Sequence, residues 1–172
     1  LTQVLHQENE AWKNKDLDFL SKITEGPIVE ELQRHMGGSY IDPGFPVPVI
    51  TRSTTRGLDI TDSAGRLVAS MDRTTPYLNA EETWWKGTFH NGVGQPYIGP
   101  VQFDPQHKTY TFTLALPIMD SLRYEAIGVL RRIYDAKEFF APSIDIIRFG
   151  ETGHVMLIDS REDGGYITPV EC

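Results

Sequence analysis

A regular alternation of side-chain character over residues 109–116 constrains the fold of this chain more than any other feature. In the segment TYTFTLAL, apolar side chains occupy every second position, with threonine or alanine between them. Because successive side chains of a strand point to opposite faces of a sheet, this period of two indicates a strand with two different faces. The predicted apolar face consists of Tyr110, Phe112, Leu114 and Leu116.

Other stretches favour strands that could pair with this one. Residues 56–70, RGLDITDSAGRLVAS, predict two short strands around a turn formed by Asp-Ser-Ala-Gly. Residues 97–103, YIGPVQF, predict a strand that contains glycine and proline, and residues 126–134, AIGVLRRIY, predict another. Residues 150–167 predict a closing hairpin. Short turns between strands favour an antiparallel sheet.

Helical periodicity is found before and between these strands. Apolar residues at helical spacing predict a helix over residues 1–13, and Pro27 is suited to the first turn of a second helix, PIVEELQRHMGG. Further helices are predicted over residues 79–89 and after Asp135, which can cap the second of these. The predicted fold class is therefore α+β, an antiparallel sheet flanked by helices with a long N-terminal helical entry.

Composition excludes several classes of function. A net charge of −8 argues against nucleic-acid binding, since the densest basic spot is only Arg131-Arg132. Cys172 is the one cysteine, so a disulfide framework and a cysteine-based zinc site are excluded, and the five histidines show no chelating spacing. There is no nucleophile elbow, phosphate loop or dinucleotide fingerprint. We predict no cofactor, no metal and no catalytic residue.

The stretch PYLNAEETWW, residues 76–85, allows two interpretations. In the first, it is packing and capping: Asn79 caps a helix, Glu82 completes a capping box, and the adjacent Trp84 and Trp85 contribute to the core. In the second, it is a recognition box, in which aromatic faces and a carboxylate hold a flat or cationic ligand. Polar side chains on the neighbouring strands would then orient the ligand; the candidates are Tyr97, Asp104 and Thr113.

The order of several short segments resembles the extracytoplasmic double-Cache sensor domains of bacterial receptors. These segments are RGLDITDSAGRLVAS, PYLNAEETWWKGTF, YIGPVQFD, TYTFTLALPIMD, AIGVLRRIYDAKEFF and IRFGETGHVMLID. The resemblance implies a membrane-distal module over residues 1–148, made of the N-terminal helices and a PAS-like sheet. Residues 149–172 would be the opening hairpin of a truncated membrane-proximal module. A chain that starts at Leu1 rather than Met is also expected to be a piece of a longer protein.

The resemblance also implies a ligand site. Tyr77, Trp84 and Trp85 correspond to aromatic positions of the family's amino-acid pocket, whereas Glu82 replaces its carboxylate-binding arginine. Because this replacement reverses the charge, we expect a small cationic or neutral ligand rather than a zwitterionic amino acid. Asp104 and Gln102 correspond to the family's aspartate and tyrosine on the next strand, and the last family aspartate falls near Ile133. With Tyr97 and Thr113 from the recognition box, the candidate ligand-binding residues are Tyr77, Glu82, Trp84, Trp85, Tyr97, Gln102, Asp104 and Thr113.

The function that the resemblance implies is ligand sensing outside the cytoplasmic membrane. The domain would belong to a membrane-anchored receptor with a histidine kinase, cyclase or chemotaxis output. Leu5 and Trp12 lie one heptad apart and could form part of a homodimer seam, or be buried within the same chain. Two alternatives remain: a periplasmic hydrolase, which needs two convergent carboxylates, and a structural or dimerisation module without a ligand.

Overall fold

The computed structural model describes residues 2–36, 39–40, 49–50, 54–71, 75–105 and 108–144. The helices are α1 (Thr2–Lys13), α2 (Leu17–Thr24), α3 (Pro27–Met36), α4 (Thr83–Phe89) and α5 (Ala136–Ile144). The strands are β1 (Ser39–Tyr40), β2 (Val49–Ile50), β3 (Thr55–Asp62), β4 (Leu67–Ser70), β5 (Tyr97–Ile98), β6 (Gln102–Asp104), β7 (Thr109–Asp120) and β8 (Glu125–Asp135). The predicted closing hairpin and the proposed second module, residues 149–172, lie outside the described residues.

Six of these strands form one antiparallel sheet. Its order is β4-β3-β8-β7-β5, and β6 also pairs with β7. The long β7–β8 hairpin forms its centre, and the β3–β4 hairpin predicted around Asp-Ser-Ala-Gly flanks it. The predicted α+β class is therefore confirmed. None of the helices within the described ranges is long and apolar enough to cross a membrane.

The strand register assigns side chains to two faces of the sheet. Asp59 is opposite Arg131, and Arg131 is opposite Ala115, so these three side chains share a face. Trp84 and Trp85 of α4 pack on this face, which we call the α4 face. The opposite face carries two apolar clusters: Val29, Leu32, Leu58 and Ala69 with α3, and Val101, Phe112 and Ala136 with α5.

Strand β7 differs from its sequence prediction in two respects. Tyr110 and Leu116 of the predicted apolar face are 38% and 41% exposed, whereas Ala115 on the other face is fully buried beneath α4. The strand also continues past the predicted alternation, through Pro117 to Asp120. Beyond Ala115 the only described partner of β7 is β8, so the other edge is open. A proline that lacks an N–H is tolerated at an open edge.

The predicted helix boundaries agree with the structure at α1, α3 and α5 but not at α4. Helix α1 ends at Lys13 and α3 begins at Pro27, both as predicted. Asp135 caps α5, since its carboxylate accepts a 3.0 Å hydrogen bond from the backbone N–H of Glu138. The capping box predicted at Asn79 is wrong, because α4 begins only at Thr83. Trp12 is buried inside the chain. This agrees with the second interpretation of Leu5 and Trp12, burial within the same chain.

Gly65 and Gly92 provide a matched pair of test substitutions. Both have positive φ angles, 75° and 86°, but a Cβ at Gly65 would lie 2.5 Å from the Ala80 nitrogen while nothing lies within 4 Å at Gly92. We expect Gly92→Ala to lower the free energy of unfolding by about 1 kcal/mol, from backbone strain alone. Gly65→Ala should cost about 2–4 kcal/mol, because the clash adds to the strain. Urea denaturation measures both; equal losses would contradict the clash.

The buried Asp135 carboxylate should make stability depend on pH. It accepts hydrogen bonds from the Glu138 backbone, from Arg56 at 2.8 Å and from Thr109 at 3.0 Å. Burial alone raises the pKa of this carboxyl, but the hydrogen bonds outweigh burial and hold the pKa below its ordinary value of 3.8. A depressed pKa in the folded state contributes stability that is present above the unfolded pKa and is lost as pH falls through the folded pKa.

We therefore expect the wild-type chain to be more stable than Asp135→Asn at about pH 6 and this difference to shrink at about pH 3. Thermal unfolding of the two proteins across this range measures the difference. A difference that does not change with pH would show that the charge of Asp135 contributes nothing to folding.

Candidate functional site

The segment that follows β4, of which the structure describes residues 75–82 before α4, is extended over residues 75–79 rather than helical. Tyr77 accepts a 2.9 Å backbone hydrogen bond from Leu67, and the Asn79 N–H donates to the Gly65 oxygen at 2.7 Å. These bonds hold the segment on the β3–β4 hairpin, which is why the helix cannot begin at Asn79. Because side chains alternate along extended chain, Thr75, Tyr77 and Asn79 are buried, whereas Pro76 is exposed. The segment thus covers the end of the α4 face next to β4.

A buried ion pair lies on the α4 face between β3 and β8. Asp59 is fully buried, and its Oδ2 accepts a 2.8 Å hydrogen bond from Nε of Arg131 as well as one from Nη2. The hydroxyl of Ser70 donates to the other carboxylate oxygen at 2.6 Å. Arg131 also donates to the Thr75 hydroxyl at 2.8 Å, and its guanidinium carbon lies 4.6 Å from the centre of the Trp84 ring. Hydrogen bonds therefore compensate both buried charges.

The two adjacent tryptophans are buried on the α4 face beside this ion pair. Trp84 and Trp85 are 7% and 8% exposed and pack on Ala115 and Val129. The Trp85 indole donates to the Thr61 hydroxyl at 3.0 Å, whereas Nε1 of Trp84 has no hydrogen-bond partner within the described ranges. The cation–π position on Trp84, which the recognition box assigned to a ligand, is occupied by Arg131.

Tyr77 points away from these indoles. Its ring packs against Trp12 and Phe19, with ring centres 6.3 and 5.3 Å apart. The Tyr77 hydroxyl donates to the Glu8 carboxylate at 2.9 Å. Burial, helped by this hydrogen bond and the charge of Glu8, raises the pKa of Tyr77 well above its ordinary range. Tyr77 therefore stays protonated at physiological pH and joins α1 to the segment that follows β4.

A cavity of about 530 Å³ lies between the α1–α2 junction and this segment. Its volume is within the range of small-molecule sites. Its inner wall consists of buried side chains, and its rim consists of exposed ones such as Lys15 and Leu17. The lining residues are Asn9, Trp12, Lys13, Lys15, Leu17, Leu20, Thr75, Pro76 and Tyr77.

Thr75 connects the cavity with the buried ion pair. Its backbone oxygen accepts a 3.0 Å hydrogen bond from the Trp12 indole, and its hydroxyl accepts one from Arg131. Trp12 and Thr75 both line the cavity. A molecule in the cavity would therefore contact the point where α1 is hydrogen-bonded to the sheet-bound part of the chain.

Of the eight predicted site residues, only Tyr77 lines this cavity, so the structure does not bring the eight together around it. Trp84, Trp85 and Tyr97 pack together on the α4 face, and Thr113 is opposite Ile133 on that face. Glu82 is exposed at the start of α4 and makes no side-chain capping bond. The other two residues belong to the short strand β6: Gln102 is exposed and Asp104 is half-buried.

Sequence reasoning missed four residues that define this region: Trp12, Asp59, Thr75 and Arg131. Arg131 was considered only as half of a weak basic spot. Charged residues at inward-facing positions of apolar strands could have identified the pair, since such charges require a buried partner. Thr75 had no such indication, because the stretch before α4 has no regular period, and Trp12 was identified only as an apolar residue of the N-terminal helix.

Two of the carboxylates that a hydrolase could have used form ion pairs with basic neighbours. Asp62 accepts hydrogen bonds from the backbone of its own turn and pairs with Arg66, and Glu81 pairs with Lys86. No group of three or more His, Cys, Asp or Glu that could hold a metal is found in the part of the chain that the structure describes. No observation favours the hydrolase alternative.

Several solved structures are similar to this chain, two receptor domains among them, whereas no family model and no curated protein matches it. The first is the ligand-binding domain of the Pseudomonas fluorescens chemoreceptor CtaA in complex with L-serine. It is 13% identical with a TM-score of 0.47, over 98% of this chain and 72% of that one. The second is an extracellular ligand binding receptor from Desulfohalobium retbaense, 16% identical with a TM-score of 0.36, over 84% of this chain and 26% of that one. The site of this chain is therefore assigned from its own geometry.

The ion pair predicts a large effect of one substitution. We expect Asp59→Ala to lower the free energy of unfolding by about 3–5 kcal/mol, because it leaves the charge of Arg131 buried and unpaired. Glu81→Ala is the matched control: it removes an exposed pair with Lys86, and exposed pairs contribute little. Guanidinium denaturation of both variants measures the difference. A loss for Asp59→Ala as small as that of the control would contradict the role assigned to the pair.

Proposed function

We propose that this chain is the extracytoplasmic ligand-sensing input domain of a membrane-anchored receptor, and that the cavity beside Thr75 is its input site. The observation that carries the proposal is the position of the cavity. Its wall contains both partners of the Trp12–Thr75 hydrogen bond, which ties the N-terminal helix to the segment next to the sheet. A ligand at this place contacts both parts of the molecule at once.

The predicted recognition box is a less favourable input site. It required an external cation on the indoles and a carboxylate close to them. Arg131 occupies the face of Trp84, and Glu82 is exposed at the start of α4. An amine ligand would have to displace a guanidinium that Asp59 also binds, at the cost of a buried ion pair. The cavity needs no such displacement.

Signalling would follow from the two contacts of the ligand. A ligand shifts an equilibrium only by its difference in affinity for the two states. Two arrangements are compared: in one, the Trp12–Thr75 bond holds α1 against the segment that contains Thr75, and in the other this bond is broken. A molecule that fills the cavity favours the first arrangement. The N-terminal helix would carry this bias to a kinase, cyclase or chemotaxis output, within a homodimer if the receptor is dimeric.

The three tryptophans allow the input site to be tested by NMR. In a screen of amines, amino acids and organic acids, we expect a binding compound to shift the indole N–H resonance of Trp12, since this group lies in the cavity wall. The resonance of Trp85, whose N–H is bonded to Thr61 outside the cavity, should move little. Single Trp→Phe variants assign the three resonances, and ligand-dependent thermal stabilisation confirms binding.

The same spectra separate the competing interpretations. A compound that shifts Trp84 and Trp85 but leaves Trp12 unchanged would place the ligand in the recognition box. A panel without any binding compound would favour the structural module. Either result would contradict the proposed input site.

A further inference from the structure

Lys15, at the rim of the cavity, has a backbone conformation that lysine rarely adopts. Its φ angle is 56°, in the left-handed region. The Asp16 N–H donates to the Ala11 oxygen and the Lys15 N–H to the Trp12 oxygen, the two bonds of a Schellman helix end. Glycine is the usual residue at this position because any side chain costs free energy there. Strain of this kind often marks a functional position.

Lys15 forms no ion pair with any residue that the structure describes, whereas the neighbouring Lys13 pairs with Glu10 at 3.1 Å. Two other acidic groups near this junction are hydrogen-bonded elsewhere: Asp16 caps α2 by accepting from the Phe19 N–H, and Glu8 accepts from the Tyr77 hydroxyl. Among the described residues that line the cavity, Lys15 is therefore the cation without an ion pair.

The rest of the cavity is suited to an apolar molecule. Leu17 lines it and is 75% exposed, a large apolar surface that a bound molecule would cover. Behind it, the buried rings of Trp12 and Tyr77 provide flat apolar walls. The side-chain amide of Asn9 makes no hydrogen bond within the described part of the chain, so it is available to a polar group of the ligand.

From these observations we propose that the cavity binds a small organic anion with a flat or branched apolar body, whose negative group contacts Lys15. This inference rests on the proposed function, since it names the ligand class of the same site. The apolar body would cover Leu17 and lie against Trp12 and Tyr77. The proposed ligand class differs from the sequence-based expectation of a cationic or neutral ligand because the charge at the cavity rim that has no ion pair, that of Lys15, is positive.

Three probes of nearly equal shape test the charge: phenylacetate, phenylacetamide and phenethylamine. Acetate, which lacks the ring, tests the contribution of the apolar body. Their affinities are measured from the Trp12 indole resonance during titration of the intact chain. We expect phenylacetate to bind roughly 3- to 10-fold more tightly than phenylacetamide, since one charge-assisted contact is added. Phenethylamine and acetate should bind most weakly. The preference for phenylacetate should shrink at high salt.

Two variants of Lys15 and one control assign the charge to this residue. Lys15→Gln should reduce the preference for phenylacetate over phenylacetamide to less than about 2-fold, since it removes the charge-assisted contact. Lys15→Gly should do the same while raising the Tm by roughly 1–3 °C, because glycine relieves the left-handed strain. Lys22→Gln is the control: it removes a charge on α2 outside the cavity and should retain the preference.

The outcomes separate the ligand class from the input site. If the titration of the Trp12 resonance shows that phenylacetamide or phenethylamine binds at least as tightly as phenylacetate, the anion inference is wrong while the input site stands. If Lys22→Gln loses the preference as much as Lys15→Gln does, the preference reflects the general charge of the helices and the role of Lys15 is wrong. If no probe of any charge shifts Trp12, both the inference and the input site fail.

Discussion

A salt bridge closed off from solvent between β3 and β8 is the interaction on which the rest of this structure depends. Asp59 and Arg131 are buried, and either one without the other would be an unpaired charge in the interior. The hydroxyls of Ser70 and Thr75 complete their hydrogen bonds. Thr75 is thereby fixed beside the guanidinium. Its backbone oxygen is then in position to accept from Trp12, so a polar contact in the sheet determines where the N-terminal helix rests.

Most of the fold could be predicted from local sequence, because period and turn chemistry are local properties. The alternation over residues 109–116, the turn at Asp-Ser-Ala-Gly and the cap at Asp135 each led to the element that is observed. The misplaced start of α4 has a non-local cause. Asn79 is a good capping residue, but hydrogen bonds to the β3–β4 hairpin hold its segment in an extended form. No local pattern reports such a bond.

The site was harder to predict than the fold for the same reason. The sequence identified aromatic residues that do pack together, Trp84, Trp85 and Tyr97, but it could not show that the chain supplies its own cation to Trp84. That contact joins residues far apart in the sequence. Tyr77 was placed with the indoles because it is near them in sequence, although its ring packs against Trp12 of α1 and Phe19 of α2.

The pairing of Asp59 with Arg131 also has an evolutionary consequence. A substitution at either position alone leaves an isolated charge in the interior, so intermediates with one change are selected against. A descendant can replace both residues with apolar ones of similar volume, or keep both. Positions 59 and 131 should therefore covary among homologous chains, and a lineage that has lost the pair would cover the indole at position 84 with an apolar side chain instead of a guanidinium.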